Sequence, residues 1–170
     1  MTAARQKRKR LCSGFAAGFA ALAAVLVTLP AGPPAAIAAT TERLVVDWHT
    51  GLAIGGYDPV AFFTDGRPVA GSANFELRYG GAIWRFRNAG NRDAFVAQPD
   101  VYMPKFGGYD PIGVTRGVAV AGNPNVWLVS GERLYLFYDR ARLEKFTGDA
   151  DRVSAEAERK WPDVRRALSP

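Results

Sequence analysis

Large apolar and polar side chains alternate along two neighbouring segments near the middle of the chain, 74–79 and 82–87. Alternation with a period of two is typical of strands that have one buried face, and the Gly-Gly pair between the segments favours a two-residue hairpin turn. On the second strand, Trp84 and Phe86 share one face while the arginine between them faces the other way. The pattern therefore predicts an antiparallel hairpin whose aromatic face lies in the core.

Helical spacing dominates where this alternation stops. In the last part of the chain, Val153, Ala157 and Trp161 recur every four residues, which is typical of one buried helix face. Together the patterns predict an α+β fold, with a small antiparallel sheet and short helices in one domain. The predicted strands cover 44–48, 74–79, 82–87, 117–121, 126–130 and 133–138, and the helices run from Asn88 or Asn91 to Gln98, over 140–146 and from Asp149 or Asp151 to about Pro162.

The N-terminal segment differs from the rest in its pattern. A cationic stretch at 5–10 precedes an uncharged apolar stretch at 11–29, and small residues follow at Ala36 and Ala38. This order is typical of a secretory signal peptide, so we predict a signal over 1–38 and a mature domain over 39–170. The domain would then be periplasmic or secreted. If the signal is not cleaved, the segment instead anchors the chain in a membrane.

Charge and cysteine content change once this segment is set aside. The whole chain has a formal net charge of +6, but the mature part has 17 basic and 16 acidic side chains, so its charge gives no support for nucleic-acid binding. The single cysteine, Cys12, lies in the signal. The mature chain therefore has no disulfide, no thiolate metal site and no cysteine nucleophile.

A six-residue turn motif occurs twice, as GGYDPV at 55–60 and GGYDPI at 107–112, with five of six positions identical. Paired glycines suit the positive φ angles of tight turns, the aspartate can accept hydrogen bonds from its own turn, and the proline fixes its own φ. A structural turn and a shared ligand site both explain the repetition. Because no longer similarity surrounds the copies, we predict two like turns rather than a repeat architecture.

The longer string DWHTGLAIGGYDPVAFF at 47–63 resembles the opening signature of exported bacterial YHS domain-containing proteins and selenoproteins. Similar segments continue over nearly all of the mature chain, as far as Trp161 and Pro162. The resemblance implies a YHS-like domain, and in that family a cysteine or selenocysteine usually follows the second Gly-Gly-Tyr. Here Asp110 takes that position, and a carboxylate lacks the redox chemistry of sulfur or selenium.

Two carboxylates and the single histidine form a candidate site for a divalent metal ion: His49, Asp58 and Asp110. If their side chains converged, they would supply one nitrogen and two carboxylate ligands. Each has a structural alternative, because His49 can tie its turn to a backbone carbonyl and the aspartates can stabilise their own turns. Tyr57 and Tyr109 of the repeated turns are the candidate cofactor-binding residues, lining a pocket.

The sequence has no phosphate-binding glycine loop, dinucleotide fingerprint or nucleophile motif. We therefore expect a binding or accessory module without a catalytic centre, whose small ligand or envelope-protein partner contacts the surface near the two turns. This interpretation predicts that Asp110→Ala alters binding more than stability. The alternatives are a metal-binding or redox-associated protein that uses His49, Asp58 and Asp110, and a purely structural envelope protein.

Overall fold

The computed structural model describes residues 43–168, which lie in the compact unit Ile37–Pro170. Hairpins and short helices in this range make the small α+β domain that the sequence predicts. The predicted signal peptide lies outside the described residues. In chain order the elements are a 3-10 turn at Ile54–Gly56, α1 (Ala61–Thr64), β1 (Ser72–Tyr79), β2 (Ala82–Phe86), α2 (Ala89–Ala97), α3 (Pro99–Tyr102), a 3-10 turn at Lys105–Gly108, α4 (Pro111–Thr115), β3 (Asn123–Ser130), β4 (Arg133–Phe137), α5 (Arg140–Thr147) and α6 (Ala150–Ala167).

The strands form two separate antiparallel pairs, β1 with β2 and β3 with β4. Leu77 lies opposite Trp84 in one hairpin, and Leu128 lies opposite Tyr135 in the other. Each first strand also contains a register irregularity at the equivalent place, between Ser72 and Glu76 in β1 and between Asn123 and Trp127 in β3. The segment 117–121, which we predict as a strand, contributes only an isolated bridge at its last residue in the described structure.

The domain consists of two copies of one structural unit, residues 54–97 (the first half) and 106–147 (the second half). In each half a 3-10 turn leads into a short helix, a hairpin and a longer helix, in that order. The longer helices also begin alike, because the side chains of Asn88 and Asp139 accept hydrogen bonds from the amides three residues later, at 2.8 and 2.9 Å. The expectation of two like turns without a repeat architecture is therefore wrong.

Strand β4 separates two clusters of buried side chains. Leu134 and Leu136 pack with the first half, whereas Tyr135 and Phe137 pack on the other side, with the second half and α6. A strand with both faces buried has an apolar residue at every position, which explains its continuous apolar run. In the first half, β2 buries only alternate positions, with Trp84 and Phe86 inside as the sequence predicts.

Helix α6 follows the second half and covers it. It packs against α4 and buries Val153, Ala157 and Val164. The helix continues through Pro162 to Ala167, so the predicted end near this proline is wrong. Because buried side chains lie on both sides of the proline, packing on the core outweighs the cost of an interior proline.

Two large apolar side chains of predicted elements, Trp48 and Val96, lie at the surface. Trp48 has a relative exposure of 77%, because residues 48–50 form a turn rather than the end of a strand. Val96 is exposed while its neighbour Phe95 is fully buried. Adjacent residues of a helix point in directions about 100° apart, so a single short helix cannot bury both against one surface.

Within residues 43–168, no helix combines the length and the apolar character that crossing a bilayer requires.

Candidate functional site

The two repeated aspartates are fully buried and make equivalent hydrogen bonds. Asp58 Oδ1 accepts from the amides of Val60 and Ala61 at 2.9 and 3.4 Å, so it caps the start of α1. Its Oδ2 accepts from the amide of Arg87 at 2.8 Å and from Nδ2 of Asn91 at 2.7 Å. One carboxylate thus joins a helix start, the end of a hairpin and the next helix.

Asp110 repeats this arrangement in the second half. Its Oδ1 accepts from the amides of Ile112 and Gly113 at 2.7 and 3.3 Å. Its Oδ2 accepts from the amide of Tyr138 at 3.0 Å and from Nη1 of Arg142 at 3.1 Å. The difference is that a guanidinium replaces the amide group of the first half, so Asp110 belongs to an ion pair whose carboxylate is fully buried and whose guanidinium is partly buried.

The backbone around the aspartates is repeated as well. The amides of Asp58 and Asp110 donate to the carbonyls of Val69 and Val120, both at 2.8 Å. Those two acceptors begin the segments VAGSANFEL and VAGNPNVWL, which are identical at five of nine positions and lie 51 positions apart. Because the turn motifs are 52 positions apart, one residue is missing between the motifs of the second copy. This second match is the sequence signal that reveals the duplication.

The structure does not bring His49, Asp58 and Asp110 together as a metal site. Within the described residues, no group of three or more His, Cys, Asp or Glu side chains has an arrangement that could hold a metal ion. The oxygens of both aspartates already accept four hydrogen bonds each, which stabilise local structure. His49 is exposed in a separate turn.

The turn that carries His49 is organised by Asp47. Oδ1 of this aspartate accepts from the amide and the hydroxyl of Thr50, both at 2.9 Å, and from the amide of His49 at 3.1 Å. The bonds from Thr50 hold the pKa of Asp47 below its ordinary value, because they stabilise the charged carboxylate, and the bond from His49 adds to this. The turn therefore presents His49 and the neighbouring indole to solvent on a defined backbone.

The two tyrosines predicted to line a pocket lie in different surroundings. Tyr57 is partly buried, and its ring lies 3.8 Å from the position a Cβ would take on Gly55. Tyr109 is fully buried, and its ring centroid lies 6.1 Å from that of Trp161. Tyr109 therefore belongs to the core of the second half, where its ring packs near the indole of α6.

A groove of about 340 Å³ opens next to the second turn, between the segment before that turn, the start of β4 and α6. Its size is at the lower end of the range for small-molecule sites, about 300–1,000 Å³. The lining combines apolar side chains with charges of both signs. These residues are Asp100, Met103, Pro104, Lys105, Phe106, Arg133, Glu158, Trp161 and Arg165.

Arg133 is the unusual member of this lining. Its Nε is buried and has no hydrogen-bond partner, and among residues 43–168 no ion pair includes this side chain. A buried donor without an acceptor is unfavourable by about 1–3 kcal/mol. Lys105 differs, because its Nζ lies 2.6 Å from Oε1 of Glu158. The groove therefore contains a cation that the described part of the protein does not neutralise.

Trp161 also borders a second depression of about 290 Å³, together with Arg43, Pro162, Arg165 and Arg166. The indole is held against the core by ring contacts with Phe106 at 5.8 Å and Tyr109 at 6.1 Å between centroids. A fixed, flat apolar ring surrounded by arginines is suited to an organic anion. Sequence reasoning missed this site because its residues come from distant segments.

No protein-family model, curated protein or solved structure matches this chain.

Proposed function

We propose that the protein is an exported, YHS-type binding or accessory module that holds a small ligand in the groove beside the second GGYDP turn. The observation that carries this proposal is the unpaired Arg133 in the lining of a cavity of about 340 Å³. Structural needs alone do not account for a buried guanidinium nitrogen without an acceptor. A ligand that pairs with this guanidinium from the groove accounts for a cation that no ion pair among residues 43–168 neutralises.

The two halves support the same assignment. Both halves have the aspartate-capped turn, so that turn is a requirement of the fold. The position equivalent to Arg133 at the start of the first hairpin's return strand is Ala82, which is buried and apolar. An arginine is therefore not needed to form this hairpin, and its presence in the second half is better explained by binding.

The residues with roles in this function are few. Arg133 provides the positive charge, Trp161 the apolar wall, and Lys105 with Glu158 an ion pair at the edge of the groove. Asp58, Asp110 and Tyr109 stabilise the structure on which these side chains lie. This assignment requires no step of bond making or breaking, which is why we propose a binding module rather than an enzyme.

The experiment is ligand capture by native mass spectrometry. The purified full-length protein is incubated with a small-molecule extract of the producing cells, filtered and compared with two variants. Asp100→Trp fills the groove from an exposed position, and Asp93→Trp places the same ring on an exposed aspartate of α2 that does not line the groove.

We expect the unmodified protein and Asp93→Trp to retain the same added mass, and Asp100→Trp to retain at least tenfold less of it. Capture of the same mass by all three proteins would contradict a site in this groove. Capture of no small molecule by any of them would contradict the proposed function.

A further inference from the structure

The charges around the groove identify the class of its ligand, given the proposed binding function. The lining includes three cations, Lys105, Arg133 and Arg165, and two anions, Asp100 and Glu158. The excess is therefore one positive charge. A ligand with a single negative charge would neutralise it, whereas a phosphate monoester, with about −1.5 to −2 at neutral pH, would add uncompensated charge.

The geometry of the cation favours a carboxylate. A guanidinium presents its N–H groups in a planar fork that matches the two oxygens of a carboxylate. Arg133 as a whole is only partly buried and lines the groove, so part of this side chain is accessible to a ligand there. The ammonium of Lys105 is already paired with Glu158, and Arg165 is exposed to solvent, so Arg133 is the partly buried cation left for recognition.

The apolar part of the lining identifies the body of the ligand. Trp161 is half-buried and held by Phe106 and Tyr109, so its exposed face is a rigid flat surface. Flat rings stack on such a surface with offset or edge contacts that contribute about 0.5–1.5 kcal/mol beyond burial of area. Met103 and Pro104 complete the apolar side of the cavity.

We infer that the groove binds a small organic monocarboxylate with a flat apolar body, its carboxylate on Arg133 and its body on Trp161. This inference rests on the proposed function, since it names the ligand class of the same site.

Calorimetric titration of the full-length protein with three matched probes tests the inference. Phenylacetate has the required charge and ring, phenylacetamide has the same shape without the charge, and phenyl phosphate has the ring with the higher charge. We expect phenylacetate to bind at least tenfold more tightly than either of the others, because only its charge matches the groove.

The variant Arg133→Gln should lower the affinity for phenylacetate at least tenfold and leave that for phenylacetamide unchanged. Its thermal unfolding midpoint should be equal to or above that of the parent, because a buried charge without a partner is removed. Arg140→Gln is the control, since Arg140 is exposed on α5 and does not line the groove. It should change neither affinity.

Equal binding of phenylacetate and phenylacetamide, or tighter binding of phenyl phosphate, would overturn the inference. The inference would also be overturned if Arg133→Gln still bound phenylacetate at least tenfold more tightly than phenylacetamide. If the capture experiment yields a neutral or cationic molecule that Asp100→Trp loses, the binding function stands and the carboxylate assignment fails. If neither capture nor any probe gives binding in the groove, both fail.

Discussion

The two halves of the domain differ most in what surrounds their shared aspartate-capped turn. In the first half, Asp58 is bound by the neutral amide of Asn91. In the second half, Asp110 is bound by the guanidinium of Arg142, and α6 covers the copy from outside. What the halves share is needed to form the fold, and what they do not share is free to serve function. None of the residues that line the groove lies in the first half.

Comparing the two halves also distinguishes residues that form the fold from residues that we propose bind a ligand, which the sequence alone does not distinguish. The GGYDP motifs attract attention as a site because they are repeated, yet their repetition is the reason to regard them as structural. Arg133 has no counterpart in the first half, where Ala82 takes its place. A difference between copies is therefore a better guide to the binding site than an identity between them.

The largest expected effect comes from removing the aspartates. Asp110→Ala should lower the free energy of unfolding by about 3–5 kcal/mol, because it leaves the partly buried Arg142 without its partner and also frees three amides. Asp58→Ala should cost less, about 2–3 kcal/mol, because no charge loses its partner. Urea unfolding measures both. Equal losses in the two variants would show that the ion pair contributes nothing beyond the shared hydrogen bonds.

A second pair of substitutions tests whether the halves are equally tightly packed. A Cβ on Gly71 would lie 2.5 Å from the carbonyl carbon of Arg85, and a Cβ on Gly122 would lie 2.5 Å from Cβ of Leu136. Each glycine-to-alanine change should therefore lower the free energy of unfolding by about 1–3 kcal/mol. Gly148→Ala is the control, because its Cβ would meet only ordinary contacts at 3.6 Å. A loss in one half alone would show that the copies tolerate strain differently.

A third test replaces the side chain that binds Asp110 with the one that binds Asp58 in the first half. Arg142→Asn places the residue type of the first half in the second, and should lower the free energy of unfolding by about 1–2 kcal/mol, since Asp110 keeps its three backbone donors. Thermal unfolding measures the change. In protein that already carries Asp110→Ala, Arg142→Asn should lower the free energy of unfolding no further, because both side chains act on one interaction. Full additivity would contradict a direct coupling.

The smallest effect concerns the turn at 47–50, which precedes the first half. Because hydrogen bonds from Thr50 and His49 lower the pKa of Asp47, ordering of this turn is complete above about pH 4, the ordinary range of an aspartate, and is lost as the pH falls through the lower folded value. The amide resonance of Thr50 should therefore shift below pH 4. Asp47→Asn should abolish this titration while resonances in the core stay unchanged. A Thr50 shift that persists in the variant would assign the titration to another group.

Local patterns predict much of the fold. The hairpin of β1 and β2 and the helix capped by Asn88 follow from short-range periodicity and cap chemistry, which act within a few residues. The exposure of Trp48 does not follow, because burial depends on what later parts of the chain place next to it. The duplication is present in the sequence, but the missing residue between its two matching segments hides it from a comparison of the turn motifs alone.

The candidate site is less predictable than the fold. Asp110 is singled out by the sequence, yet it has no exposed surface, so from the structure we expect Asp110→Ala to affect stability more than binding, whereas the sequence predicts the reverse. The groove combines Lys105, Arg133 and Trp161, which are 28 residues apart along the chain from each to the next. Nothing in local patterning indicates that such residues meet, because only packing of the second half against α6 brings them together.

The buried carboxylates also govern how slowly parts of the backbone meet solvent. The amides of Arg87 and Tyr138 donate to oxygens with no exposed surface, and each closes the far end of its hairpin. Deuterium can replace these protons only when the surrounding half opens. The exchange rates of these two amides therefore report separately how often each half opens.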